Sequence, residues 1–157
     1  MAIVVMAIIF PSMMHLFSRT ATTAAVVDRL PAASSLGNEL MEEIKSRKFD
    51  ERDAKVSGNW STTLGPDGTE GANKVNYDDV DDFNGWNQTF SAPFTDYSAV
   101  VTISYVSPND LNTPLVIPSP VPNDWTPSYK RIVVTVSNAA LSAATSVITI
   151  VTEVQSL

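Results

Sequence analysis

The densest group of chemically active side chains in this sequence is a set of four aspartates at positions 78, 79, 81 and 82. Carboxylates this close repel one another unless water or a hard cation lies between them, and calcium takes oxygen ligands from irregular backbone. The spacing differs from that of an EF-hand loop, in which the ligands alternate and end in a glutamate. The sequence therefore predicts one of two arrangements: a calcium site formed by Asp78, Asp79, Asp81 and Asp82, or an acidic turn that is solvated or hydrogen-bonded locally. No other cofactor is required.

The aspartates lie in a long segment, residues 50–94, that is rich in Gly, Asn, Asp and Thr and has no sustained hydrophobic period. Such a segment is typical of a structured loop, and loops of this length usually have a function or hold an ion. Three aromatic residues, Tyr77, Phe83 and Trp86, are interleaved with the carboxylates. We expect them to fix the loop onto a sheet or helix by packing.

The other residue types that commonly take part in catalysis do not form a recognisable active-site pattern. His15 is the only histidine and lies in an apolar stretch, and the sequence contains no cysteine. The serines lack a nucleophile elbow, and the glycines form neither a P-loop nor a dinucleotide-binding pattern. Catalysis is not expected.

Length and charge limit the other classes of function. A chain of 157 residues is long enough for one domain with a hydrophobic core. Its 17 acidic and 10 basic residues give a net charge of -7, which disfavours nucleic acid as a partner. Without cysteine, packing or an oxygen-ligated ion must hold the fold together.

The first 17 residues form the most apolar stretch and contain no charged side chain. A helix that spans a bilayer needs about 20 apolar residues, with a lower limit near 17, so this stretch is a marginal span. It lacks the basic start and the small-residue cleavage site of a secretory signal. Because residues 18–30 contain few strong breakers, we expect one long helix that is apolar first and amphipathic later.

A second helical pattern covers Ser34 to Phe49, with an apolar stripe of Leu36, Leu40, Met41 and Ile44. Acidic residues in its first part and basic residues in its last turn suit the helix dipole. Pro31 predicts either one bent helix or two helices in tandem.

The second half of the chain predicts strands at Tyr97–Val106, Tyr129–Ser137 and Thr145–Val154, where β-branched residues alternate with other residues. The proline-rich residues 107–128 predict an extended connector. A helix with one apolar stripe and a sheet with one apolar face must cover each other. The predicted fold class is therefore α+β, with a long N-terminal helix packed on an antiparallel sheet of three to four strands.

Two blocks in this order resemble the minor type IV pilin-like proteins of bacteria, near those of mannose-sensitive haemagglutinin pilus biogenesis. The blocks are LGNELMEEIKSRKFDE at residues 36–51 and YDDVDDFNGW at residues 77–86. The family hallmark, a basic leader ending in Gly and then a start with a docking glutamate, is missing, and Val5 stands at position 5.

The resemblance implies a structural subunit, a minor pilin or pseudopilin, of a type IV pilus or a type II secretion-like filament. Residues 1–30 would form the membrane anchor and filament core, and residues 31–157 the globular head. The partners would be other pilin-like subunits, through the N-terminal helix, and the inner membrane before assembly. The head would lie in the periplasm, or outside the cell in the assembled filament. The alternative is a membrane-anchored periplasmic module that binds an ion or a glycan and does not polymerise.

Overall fold

The computed structural model describes residues 2–50, 60–67, 70–71, 73–119, 121–122, 127–141 and 143–153. Met1, Glu51 at the end of the first resemblance block, and Val154 at the end of the third predicted strand lie outside these residues. Within the described ranges, the elements are one α-helix, two 3₁₀ helices and five strands: α1 (Ala2–Lys45), 3₁₀ helices at Lys74–Asn76 and Asp81–Phe83, β1 (Asn87–Thr89), β2 (Tyr97–Ser107), β3 (Asp110–Pro114), β4 (Tyr129–Asn138) and β5 (Thr145–Thr152).

The three long strands agree with the alternating patterns of the sequence. The antiparallel order is β1-β2-β4-β5, and β2 and β4 pair in continuous register from Tyr97↔Asn138 to Tyr105↔Lys130. Alternate residues of β2 and β4 are buried, because neighbouring residues of a strand point to opposite faces of the sheet. This burial sets one apolar face against the helix.

The two short strands were not predicted. β1 pairs with β2, and all three of its residues are exposed. β3 pairs with the far end of β2 between Val106↔Pro114 and Ser107↔Asp110, and it is also exposed throughout. Without a buried face, neither strand needs the hydrophobic alternation by which strands are recognised.

The last part of α1 packs on β4 and β5. The apolar stripe of Leu36, Leu40, Met41 and Ile44 is buried, as its spacing predicts. Gly37 lies at the closest approach, because a Cβ there would be 2.9 Å from Cγ2 of Val147. The absence of a side chain at this position lets the helix reach the sheet.

The predicted fold class is wrong. It combined a long N-terminal helix, packed on the sheet, with three to four strands. The protein is instead mainly an antiparallel sheet of five strands, with one short helical stretch, Arg29 to Lys45, on it. Among the described side chains of α1, none before Ala32 belongs to the core. A sheet can bury only the helical residues that lie over it, and among the described side chains these begin at Ala32.

The predictions of a membrane anchor and a transmembrane helix are also wrong. Among the residues that the structure describes, no helix combines the length and the apolar character that crossing a bilayer requires. In the sequence, Pro11, Ser12 and His15 interrupt the apolar stretch, which is already at the lower limit of length for a span.

Candidate functional site

The acidic segment is held between the end of α1 and the sheet. Lys48 and Asp79 form an isolated bridge, in which the Val80 amide donates to the Lys48 carbonyl at 2.9 Å. Tyr77 and Phe83 are buried in the core, and their rings meet edge to face at 5.1 Å between centroids. Trp86 packs against the same core. The prediction that these three aromatic residues fix the segment by packing is confirmed.

The four aspartates do not form one group. Asp79 and Asp82 hold the turn by reciprocal hydrogen bonds: Oδ1 of Asp79 accepts from the amides of Asp81 and Asp82, and Oδ2 of Asp82 accepts from those of Asp78 and Asp79. Beyond the turn, Asp79 and Asp81 approach Asp50, whereas Asp78 and Asp82 approach Glu70. We call these the buried cluster (Asp50, Asp79 and Asp81) and the outer cluster (Glu70, Asp78 and Asp82).

The buried cluster contains its own cation. Lys130 is completely buried, and its ammonium donates to Oδ1 of Asp81, to the Phe49 carbonyl and, at 3.1 Å, to Oδ2 of Asp50. The rings of Phe49 and Tyr105 flank the ammonium, with centroids 4.6 and 5.2 Å from Nζ. The charge of Lys130 thus has the place that a metal ion would take among three carboxylates.

Tyr105 and Ser61 complete this buried network. The Tyr105 hydroxyl lies 2.9 Å from Oδ2 of Asp50 and 3.0 Å from the Ser61 carbonyl. The Ser61 amide donates to the same Asp50 oxygen at 3.1 Å. Burial raises the pKa of the Tyr105 phenol, and the charge of Asp50 raises it further. The phenol therefore stays protonated and available as a donor.

Burial raises the pKa of Asp81 to about 6, although the charge and the hydrogen bond of Lys130 act in the opposite direction. Removal of a carboxylate from water disfavours its charged form, and here this cost exceeds the gain from the ammonium. Asp81 therefore takes up a proton near neutral pH much more readily than an ordinary aspartate.

The outer cluster lies nearer the surface: Asp78 is exposed, Glu70 is half-buried and Asp82 is buried. One carboxylate oxygen from each of Glu70, Asp78 and Asp82 lies within 4.8 Å of the others. Lys48 approaches Asp78 at 3.6 Å, with both side chains more than half exposed. Burial raises the pKa of Glu70 to about 6, and the hydrogen bond and charge of Asp82 add to this. The protein's own groups thus offset only part of the electrostatic repulsion among these three carboxylates.

An open cavity of about 580 Å³ is lined in part by Gly71 and Tyr77, which neighbour Glu70 and Asp78 of the outer cluster in the sequence. Its lining includes the aromatic rings of Tyr77 and Trp86 and the polar side chains of Asp67, Asn84 and Asn87. Asn84 is fixed, because its Oδ1 accepts from the Ile103 amide at 2.9 Å. The cavity offers an aromatic face and polar groups to a small polar ligand.

The sequence analysis missed Asp50, Tyr105 and Lys130. The signal for two of them was the strand period: Lys130 shares the buried phase of Ile132 and Val134, and Tyr105 shares that of Ile103. A lysine in the buried phase of a central strand predicts a buried counter-charge. No local pattern marks Asp50, which follows the helix by five residues.

Comparisons with protein-family models, with curated proteins and with solved structures found no match to this chain. The resemblance to pilin-like proteins therefore stays a prediction, and so do the absence of catalysis and the calcium site.

Proposed function

We propose that this chain is a structural subunit of a filament of the type IV pilus or type II secretion-like kind, and that it assembles through α1 with other pilin-like subunits. The observation that carries the proposal is an exposed apolar surface on α1, formed by Phe10, Met13 and Met14. Their exposed fractions are 65%, 55% and 60%. Positions separated by three and four residues lie on one face of a helix. Large apolar side chains grouped on one exposed face favour association with another apolar surface.

The head fits this role, since the polar groups of its core contact one another and are not exposed to an outside ligand. Asp50, Asp81, Tyr105 and Lys130 satisfy one another in the core. In a structural subunit, such groups fix the orientation of the helix end relative to the sheet. We place the subunit in the periplasm or in an extracellular filament, and we propose neither catalysis nor nucleic-acid binding for it.

Because the sequence contains no cysteine, single-cysteine crosslinking gives a clean test. The variant Met13→Cys, expressed in a bacterium with a pilus system, should crosslink to copies of the chain or to pilin-like subunits. Val116→Cys is the matched control, since Val116 is apolar and 88% exposed but lies outside α1. Equal crosslinking of the two variants would contradict the proposal.

A second candidate function is an ion- or glycan-binding module that does not polymerise. The cavity beside Trp86 and the outer cluster favours it, because carboxylate and amide oxygens and an aromatic face lie together. Calorimetric titration with calcium and with simple sugars tests this function. Heat of binding that disappears in Trp86→Ala, together with equal crosslinking of the two cysteine variants, would favour the module over the filament subunit.

A further inference from the structure

Lys130 and Asp81 are 49 positions apart in the sequence, yet their reactive groups meet in the core. Nζ of Lys130 donates to Oδ1 of Asp81, and the two side chains are 0% and 2% exposed. Oδ2 of Asp50 lies 3.1 Å from the same nitrogen, on a side chain that is also completely buried. An amine, a carboxyl group and a second carboxylate are thus in contact in a site closed to bulk water.

We propose that Lys130 and Asp81 condense to an intramolecular amide, an isopeptide bond between Nζ and Cγ, with Asp50 transferring the protons. This bond does not depend on filament assembly and would form in the isolated chain.

The step balances without a further reactant. The Lys130 ammonium gives one proton through Asp50 to the Asp81 carboxylate, which leaves a neutral amine and a carboxylic acid. The amine lone pair then forms the N–C bond at Cγ, and Asp50 carries a second proton from the nitrogen to the departing hydroxyl. One C–O bond breaks, one water leaves, and Asp50 regains its starting charge.

The position of Asp50 suits both transfers. Besides its contact with Lys130, its carboxylate lies within 4.8 Å of that of Asp81. The Ser61 amide and the Tyr105 hydroxyl hold its Oδ2 in place. Reacting groups that are held in contact lose little further entropy on reaching the transition state.

The surroundings favour the neutral product. Two opposite charges in an apolar site retain a large desolvation cost, whereas an amide carries no charge. The raised pKa of Asp81, about 6, supports the acid form that the step requires. The rings of Phe49 and Tyr105 beside Nζ limit the access of water that would hydrolyse the product.

The bond would join the first residues of β4 to the 3₁₀ helix at Asp81–Phe83. The sequence has no cysteine, so disulfides are not available to it. An isopeptide bond would be a covalent link between the sheet and the acidic segment, and it would persist after denaturation.

The test is the intact mass of the purified full chain under denaturing conditions. We expect a mass below that of the sequence by one water. Because no lysine or arginine stands between Lys74 and Lys130, trypsin should release residues 75–131, uncut after Lys130, as one internally closed peptide that is lighter by one water. Further cleavage at aromatic residues with chymotrypsin should turn it into a branched peptide that contains both Lys130 and Asp81. A mass equal to that of the sequence after prolonged incubation at neutral pH would overturn the proposal, and so would a water loss located in a linear peptide.

Two variants sharpen the test. Asp81→Asn should lose ammonia instead of water, so that its linked product has the same mass as the linked natural chain. Lys130→Arg keeps the charge and should show its full sequence mass, whether or not it folds. A water loss that persists in Lys130→Arg would overturn the proposal.

Asp50→Asn tests the proton transfer separately. We expect the linked fraction to form about a hundredfold more slowly, the range usual for the loss of a general acid-base group. Asp79→Asn is the matched control, because Asp79 lies in the same buried cluster but its Oδ1 accepts from backbone amides. Equal slowing by the two variants would overturn the role of Asp50.

Discussion

The buried cluster and the outer cluster are made from the same short segment, but the protein treats their charges in opposite ways. Asp79 and Asp81 lie in the buried cluster, where Lys130 supplies a cation, whereas the exposed Asp78 and the buried Asp82 approach Glu70. A carboxylate in water needs no partner, because solvent screens its charge, while a buried carboxylate needs a counter-charge or a proton. The position of each carboxylate, and not its residue type, therefore decides which aspartates meet Lys130 in the core and which lie near Glu70.

The largest expected difference between the clusters concerns their lysines. Lys130→Met removes the ammonium and, with it, the amide proposed above, and it leaves Asp50 and Asp81 buried, which should lower the free energy of unfolding by at least about 3–5 kcal/mol. Lys48→Met, which removes an exposed partner of Asp78 in the outer cluster, should cost less than about 1 kcal/mol. Urea denaturation measures both. Similar losses of unfolding free energy for the two variants would contradict the distinction between the buried and the outer cluster.

Tyr105→Phe should cost about 1–3 kcal/mol, because it removes a hydroxyl that contacts Asp50 in a site without access to water. The ring is retained, so the packing is unchanged. Tyr129→Phe, at a half-buried position on β4, is the control and should change stability little. Equal midpoints of urea denaturation for Tyr105→Phe and the natural chain would show that the hydroxyl is not needed.

Calcium should act on the outer cluster alone. An ion bound only by the native state, at ten times its Kd, stabilises it by about 1.4 kcal/mol. The rise in melting temperature should disappear in the double variant Glu70→Gln, Asp78→Asn and should persist in Asp81→Asn. A melting temperature that ignores calcium and chelator would leave the outer cluster as a solvated acidic turn.

The smallest expected effect is the pH response of Glu70. Its pKa is raised from 4.5 to about 6 in the folded protein, so the folded state holds the proton more tightly than the unfolded state. The resulting stabilisation is present below pH 4.5 and is lost as the pH rises through 6. Because Glu70 is only half-buried, solvent screens part of this effect, and we expect less than about 1 kcal/mol. Urea denaturation of the natural chain and of Glu70→Gln at pH 4.5 and 7 measures the difference, and equal pH responses would contradict it.

The sequence alone determined the three long strands and the apolar stripe of Leu36, Leu40, Met41 and Ile44. Each of these elements buries one face, and its apolar residues therefore recur with a period of two residues in a strand or 3.6 in a helix. It also determined that Tyr77 and Phe83 are fixed by packing. It did not determine β1 and β3, which are exposed and have no period. The prediction of a transmembrane helix rested on the apolar composition of the start of the chain. Composition describes which side chains a segment can bury, but not which surfaces lie near enough to bury them.

Only the tertiary structure decided the division of the aspartates and the meeting of Asp50, Asp81 and Lys130. Lys130 lies 80 positions from Asp50 and 49 from Asp81. Nothing in the local pattern links such distant positions, because the contacts between them follow from the strand order and from the docking of α1 on β4 and β5. Electrostatic energy depends on distance in space and on burial, and a linear sequence specifies these only after the chain has folded.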